Sequence, residues 1–308
     1  MAGTAVELSI AMVLHNSSEE LLDCLRSIRP AIDAGWAELI AVDNASPDGS
    51  AEIVRDELPQ TRLLSLETNR GFAAGANVAL SQAVGRYWLL LNPDIVASGS
   101  GLTTLVSWMD AHPAIAAASP ELCGDDGHCQ SPGRATPSIF RTLFELSRLH
   151  RLLPARTRAR VLRGAYWLGG DQYDAGWVPG TAMIVRPEAA RQVQLLREDL
   201  FMYGEDLEWC WRLRRAGWRI GVCSAAGFVH RGGSSARRTW SERERERRIA
   251  AGVDAACRSM YGPARARALA AVTAWALLLE SCGVGRDPAQ RGHARDGARI
   301  WRQLARRA

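Results

Sequence analysis

Along residues 6–94 the chain switches back and forth between two hydrophobic periods. Strand-length apolar runs alternate with segments whose apolar residues recur every three to four positions. "VELSIAMVLHN" (6–16) is the first such run. "SSEELLDCLRSI" (17–28) is the first helical pattern, with Ser17 placed to cap it and Glu20 three residues on, as in a capping box. "AELIAVDNAS" reads as a second strand ending in Asp43, "DGSAEIVRDEL" as a second helix, and "TRLLSLETN" as a third strand with a polar end. "GFAAGANVALSQAVG" is an alanine-rich helix, and Tyr87–Leu91 is a fourth apolar strand that stops at Asn92-Pro93-Asp94. This β-α-β-α-β-α-β order predicts an α/β fold with a mostly parallel sheet and helices on both faces. In such sheets ligands bind beyond the carboxyl ends of the strands. Asp43, Asn69 and Asp94 all fall at such ends, so one crevice is expected to collect them.

The pattern breaks at about residue 131. Residues 131–165 are proline-punctuated, basic and amphipathic, an excursion suited to covering a site or touching an anionic surface. Ordered patterning resumes with "AGWVPGTAMIVRPEAARQV" and "FMYGEDLEWCWRLRRAGWRIGVCSAAGFVHRGGSS", and the tail after Arg237 is helical and arginine-rich.

Composition adds less than the pattern does. The 308 residues carry a formal charge of +5, so anionic partners are favoured. Every one of the 38 basic residues is arginine; with the many alanines this reads as a coding bias, which makes the basic patches less informative. Arginines of 141–163 and of the tail suit a solvated helix face or contact with anionic lipid. They are not interleaved with stacking aromatics, which argues against nucleic acid as a partner. The seven cysteines are irregularly spaced; "CGDDGHC" (123–129) lacks a second ligand pair and reads as a loop with two free thiols. No basic and apolar leader opens the chain. The late apolar stretch "ALAAVTAWALLLESC" (268–282) is broken by Glu280 and too short to span a bilayer. The expectation is a cytoplasmic protein with reduced thiols.

Taken singly, each candidate residue has a plain structural reading. Asp43, in "VDNASPDGS", and Asp94 are ordinary turn formers. The first of these stretches lacks calcium-loop spacing, since Asp48 stands where the glycine should be. "NRGFAAGAN" (69–77) spaces its glycines four apart and follows the third strand, unlike a dinucleotide fingerprint. Glu205 and Asp206 stand where a loop becomes a helix, where first-turn amides favour carboxylates. Gly180 and Thr181 suit a turn at a strand start, and His230 suits a structural role after an apolar strand.

The ordered set "VDNASPDGS", "NRGFAAGAN", "LLLNPD", "VPGTAMIVR", "FMYGEDLEWCWRLRRAGW" and "VHRGGSS" resembles the family 2 glycosyltransferases, particularly rhamnosyltransferase-like members, over residues 6–237. The resemblance implies a GT-A fold over 1–237, a nucleotide-sugar half at 1–120 and an acceptor-binding half at 121–237. Residues 238–308 are then a helical extension. By motif, Asp43 would help hold the nucleoside, and Asn69, Gly71 and Asn77 the loop around the nucleotide. Asn92-Pro93-Asp94 stands where the family has a D-x-D metal motif; its first acid is missing, and Asp94 is the acid that remains. His230 resembles a late histidine contributed to the metal. Glu205-Asp206 resembles the "ED" motif whose aspartate is the general base, and Gly180 and Thr181 line the floor between donor and acceptor.

These residue types fit the reaction. A hard divalent cation, Mg²⁺ or Mn²⁺, is held by one or two carboxylates plus substrate phosphates and stabilises a leaving diphosphate. A second carboxylate deprotonates the acceptor hydroxyl, and a single displacement inverts the anomeric carbon. The resemblance points to dTDP-rhamnose first and UDP-sugars second as donor. The acceptor is a cell-envelope saccharide or glycolipid, or else a small natural product. Peripheral contact with the inner face of the plasma membrane and a homodimer are both compatible with the sequence. The rivals are a sugar nucleotidyltransferase, whose glycine-rich basic signature "VLHNSSEELL" lacks, and a non-catalytic nucleotide-sugar-binding protein.

Overall fold

The structure, a computed structural model, describes residues 6–130, 132–146, 152–161, 170–171, 174–231, 239–282 and 288–307. Parts of the 131–165 excursion and the glycine-serine end of "VHRGGSS" lie outside the described residues. In chain order the elements are β1 (Leu8–Leu14), α1 (Ser18–Asp33), β2 (Ala37–Asp43), α2 (Ser50–Glu57), β3 (Arg62–Ser65), α3 (Phe72–Ser81) and β4 (Tyr87–Leu91). Then come β5 (Ile95–Ala97), α4 (Gly101–Ala111), β6 (Ile115–Cys123), β7 (Cys129–Gln130), α5 (Ile139–Leu146) and α6 (Ala155–Val161). Next are β8 (Ala182–Val185), α7 (Pro187–Val193), α8 (Glu205–Arg215) and β9 (Arg219–His230). The chain closes with α9 (Glu242–Tyr261), α10 (Pro263–Ser281) and α11 (Pro288–Ala305).

The nine strands form one sheet in the order β3-β2-β1-β4-β8-β6-β9-β5, with β7 paired to β6 off this path. β3, β2, β1 and β4 are parallel, as their order along the chain predicts. Beyond β4 the sheet is mixed: β8 runs antiparallel to β4 and to β6, and β5 antiparallel to β9. A parallel neighbour needs a crossover back to the starting end. The excursion after β7 instead leaves and re-enters at the carboxyl edge, so β8 runs the other way.

Side chains alternate between the two faces along the parallel strands. Leu8, Ile10, Met12 and Leu14 of β1 join Leu89 and Leu91 of β4 under α1, α2 and α4. Ala11, Ile40, Val42, Trp88 and Leu90 face the opposite layer of α3, α7 and α8, where Trp209 and Leu213 are fully buried. With both faces covered, the parallel strands can be largely apolar; at their starts Ser9 of β1 donates to Glu38 of β2, and Asp43 closes β2 at its carboxyl end.

The capping of α1 differs from the sequence expectation. Ser17 is the cap residue, but its side chain makes no capping bond. Asp48, from the loop after β2, accepts from the Ser18 N–H at 2.8 Å and also from Ser50 N–H at 3.2 Å, the first residue of α2. One carboxylate thus serves two helix starts. Burial works against its charge, but the hydrogen bonds from Ser50 and Ser18 outweigh it and hold the Asp48 carboxyl below its usual range.

"CGDDGHC" also needs correcting. Cys123 and Cys129 are joined in a disulfide, not left as two thiols. The β6–β7 hairpin register sets them directly opposite each other, a pairing that spacing alone does not reveal. The other described cysteines are free.

The three C-terminal helices are packed onto the sheet domain. Leu207 of α8 meets Ala256 and Met260 of α9, and Ile139 of α5 meets Ala266 and Leu269 of α10. At Gly252 the backbone of α9 approaches the loop before α8 so closely that a Cβ would stand 2.0 Å from the Tyr203 carbonyl oxygen. Among the described residues no helix is long and apolar enough to cross a membrane.

Candidate active site

The end of β4 is a tight turn. Asn92 N–H donates to the Thr181 carbonyl at 2.8 Å, and the Asn92 carbonyl accepts from Ile95 N–H at 3.2 Å. Pro93 occupies the second position of this four-residue turn, where its fixed φ is favourable. The turn carries the chain from β4 into β5 and leaves Asp94 buried between them, 7% exposed.

His230 reaches the same place from the other end of the sequence. The β6–β9 register shifts between Pro120 and Glu121, where β9 advances from Cys223 to Gly227. Such an irregularity bends a strand and re-aims its remaining residues. The last residues of β9 then pair with β5, His230 opposite Ile95. His230 Nε2 lies 3.5 Å from Asp94 Oδ2, and its Nδ1 is buried with no hydrogen-bond partner among the described residues.

Glu205 and Asp206 stand at the start of α8. Asp206 is held by two amides: Gly180 N–H donates to Oδ2 at 3.0 Å and Leu207 N–H to Oδ1 at 2.7 Å. Glu205 is 5% exposed, and its Oε2 has no hydrogen-bond partner among the described residues. Burial pushes the Glu205 carboxyl well above its usual range, and the neighbouring Asp206 charge pushes it further. Burial raises Asp206 too, but the Gly180 and Leu207 amides oppose that rise. Glu205 is therefore the holder of any shared proton, and Asp206 the carboxylate. Asp94, His230, Glu205, Asp206, Gly180 and Thr181 all line one cavity of about 250 Å³. Arg245 and Ile249 of α9 line it as well, so the C-terminal extension contributes to the wall.

A smaller cavity of about 90 Å³ adjoins it, sharing Phe72, Asn92, Pro93 and Met202. Asn69 and Gly71 line this second space. Gly71 has φ +87°, and a Cβ there would meet the Phe201 carbonyl oxygen at 2.2 Å, so only glycine fits. Asn44 organises the loop. Its amide donates to Asn69 Oδ1 and to the Gly71 carbonyl, both at 3.0 Å, while its oxygen accepts from Arg70 N–H.

Two expected residues are not brought to either cavity wall. Asp43 sits at the end of β2 with Oδ1 accepting from Ser46 N–H, shaping the turn that presents Asn44. Asn77 bonds Leu196 through both its amide and its oxygen and reaches Glu198 as well; it pins a loop on the far side of α3. Sequence reasoning missed Asn44, His15, Trp240, Tyr203 and Arg245, which do line the cavities. Asn44 could have been found, since it comes directly after Asp43 at the same strand end. The others reach the site only through tertiary packing.

A mixed sheet between helical layers, with acidic walls beyond its carboxyl edge, defines a GT-A-type glycosyltransferase. Solved structures of that class superpose on nearly the whole chain. They include the mannosyltransferase PcManGT of Pyrobaculum calidifontis, determined with GDP-Man and Mn²⁺ (TM-score 0.55, 18% identity, 98% of this chain and 85% of that one). Residues 1–349 of TarS from S. aureus superpose with TM-score 0.52 and 16% identity, over 97% and 90% of the two chains. The chain belongs to glycosyl transferase family 2, whose profile matches residues 9–163. It is 27% identical over 249 residues to an N-acetylglucosaminyl-diphospho-decaprenol L-rhamnosyltransferase of Mycobacterium tuberculosis, covering 75% of this chain and 78% of that protein. It is 25% identical over 231 residues to the low-salt glycan biosynthesis hexosyltransferase Agl10 of Haloferax volcanii, covering 73% and 67%. The protein is a glycosyltransferase, which sets aside the nucleotidyltransferase and binding-protein readings.

Proposed function

We propose that the enzyme transfers a deoxyhexose, rhamnose in the first place, from a nucleoside diphosphate to a hydroxyl of a cell-envelope glycolipid or saccharide, inverting the anomeric carbon. The observation that carries this reading is a single cavity lined by Asp94 and His230 together with Glu205 and Asp206. The rhamnosyltransferase relative, whose name specifies a diphospho-decaprenol acceptor, supports the donor sugar and the acceptor class. dTDP is the first expected nucleotide and UDP the second.

The residues fit a divalent cation. Oδ2 of Asp94 and Nε2 of His230 are 3.5 Å apart, too long for a strong hydrogen bond yet close enough to share one ion. A carboxylate with an imidazole, completed by substrate phosphates, suits Mn²⁺ or Mg²⁺. When bound, the ion would supply Lewis-acid stabilisation of the departing diphosphate.

The chain's own groups do the rest. The loop held by Asn44, with Asn69 and Gly71, borders the nucleotide, and Asn92 sits between the two cavities. Gly180 and Thr181 form the floor, and the Gly180 amide fixes the Asp206 carboxylate in the orientation it needs. Asp206 takes the acceptor proton, while protonated Glu205 adds no second negative charge beside the developing nucleophile. Incubation with dTDP-rhamnose, UDP-glucose and GDP-mannose, each with a polyprenyl-diphosphate-linked saccharide, tests the reading. Rhamnosyl transfer should give a product whose anomeric configuration is opposite to that of the donor. Retained configuration, or no transfer from any donor with any acceptor, counts against it.

A further inference from the structure

The C-terminal hairpin carries a pattern that sugar transfer does not use. On α10 the exposed positions Ala264, Ala268, Ala271, Trp275 and Leu278 recur at alternating steps of four and three residues. That spacing makes one continuous stripe along a helix face. It is wholly apolar, and Leu279 widens it; Trp275, Leu278 and Leu279 are 53%, 37% and 45% exposed.

On α11 the exposed arginines Arg295, Arg299 and Arg302 recur at the same steps, and Arg306 continues them just past the helix end. The two helices meet where Leu277 faces Gly297. α9 lies beneath both, its Ala250 packed with Ala270 of α10 and with Ile300 and Leu304 of α11. The inward faces are thus accounted for, and the apolar stripe and the arginine row both look outward, away from α9.

We infer that this outward face of the α10–α11 hairpin docks on an anionic phospholipid surface, the Trp275 stripe entering the acyl boundary and the α11 arginines meeting lipid phosphates. An apolar strip bordered by cations is the arrangement that holds a helix in the plane of such an interface. Charge decides between lipid and a second copy of the chain. The fully exposed positions of both helices carry no carboxylate; the half-buried Asp296 pairs with Arg299, and one acid against the four arginines of the row leaves it cationic, so two copies meeting here would oppose arginine to arginine. Lipid phosphates supply the missing counter-charge.

The test is co-sedimentation of the full chain with phosphatidylcholine vesicles, with and without roughly a third phosphatidylglycerol. The chain should bind only the anionic vesicles, and less as salt rises. Arg295→Gln/Arg302→Gln/Arg306→Gln should weaken that binding about a hundredfold, at about fivefold per arginine. Trp275→Ser/Leu278→Ser should abolish it while leaving the nucleotide-induced melting shift unchanged, which shows that the fold and the donor site are intact. Equal binding to both vesicle types, no binding to either, or unchanged binding by the Trp275→Ser/Leu278→Ser chain overturns the inference. So does a dimer in sedimentation velocity that this variant dissociates, because the face would then belong to a second copy.

Discussion

Asp94 and Glu205 are both buried carboxyls on one cavity, and their surroundings differ in kind. Asp94 sits in a strand-end turn with an imidazole nitrogen 3.5 Å from its Oδ2, a pair that one cation can share. Glu205 sits against a second carboxyl with one oxygen desolvated and unbonded, a setting that favours its neutral form. Two acids in opposite environments can divide the work of one reaction, one wall receiving the leaving group and the other the acceptor proton. Asp206 belongs with Glu205 by position, but its two amide donors make it the charged member.

Breaking the acceptor wall should have the largest effect. Asp206→Asn is expected to lower transfer by about 10²–10⁴-fold, the usual contribution of a general base. Nucleotide binding measured on the same chain should be unaffected. If Glu205→Gln is the inactive variant and Asp206→Asn the active one, the two roles are reversed.

Breaking the donor wall comes next. Asp94→Ala should weaken cation-dependent nucleotide binding by about one to two orders of magnitude, the scale on which even supporting residues of metal sites act. Binding without added cation should change little. Titration calorimetry with and without Mn²⁺ separates the two effects.

Glu205→Gln sharpens the comparison, because it replaces a neutral acid with a neutral amide. Activity near neutral pH should stay within a few fold. The folded chain binds the Glu205 proton more tightly than the unfolded chain does. Its contribution to stability is thus complete below the ordinary carboxyl value and is lost as pH rises through the raised folded value. The Glu205→Gln chain should accordingly gain in melting temperature over the wild type as pH rises above the ordinary carboxyl range. A parallel pair of melting curves above that range would mean that Glu205 does not titrate there.

The smallest effect concerns the frame that carries both walls. Asp48→Ala removes the cap shared by α1 and α2 and should cost about 1 kcal/mol, seen as a fall of about 2–4 °C in melting temperature.

The two walls were not equally legible in the sequence. The parallel half, β1 to β4, could be read directly because strict alternation and strand-length runs mark it, and Asp94 could be placed from where the fourth run stops. Beyond residue 131 the periods fade, and β8's reversed direction comes from an excursion whose path leaves no local signal. His230 reaches Asp94 only because β9 bends at its register shift, and no spacing shows that. Asp43 and Asn77 were plausible by position along the chain. In the structure Asp43 accepts from Ser46 N–H through one oxygen, and Asn77 bonds Leu196 and Glu198. Asp48, which the sequence marks only as a turn former, is the cap that Ser17 was expected to supply. The parallel half could be read from its local pattern, whereas the Cys123–Cys129 bridge and the partners that arrive from other elements could not.

The most direct test of the divided cavity is one titration series: a nucleoside diphosphate, dTDP first, into wild type, Asp94→Ala and Asp206→Asn, each with and without Mn²⁺. The account predicts that Mn²⁺ strengthens binding to wild type and to Asp206→Asn alike, and that the gain disappears in Asp94→Ala. A gain that survives in Asp94→Ala, or that is lost equally in both variants, would contradict the division of roles.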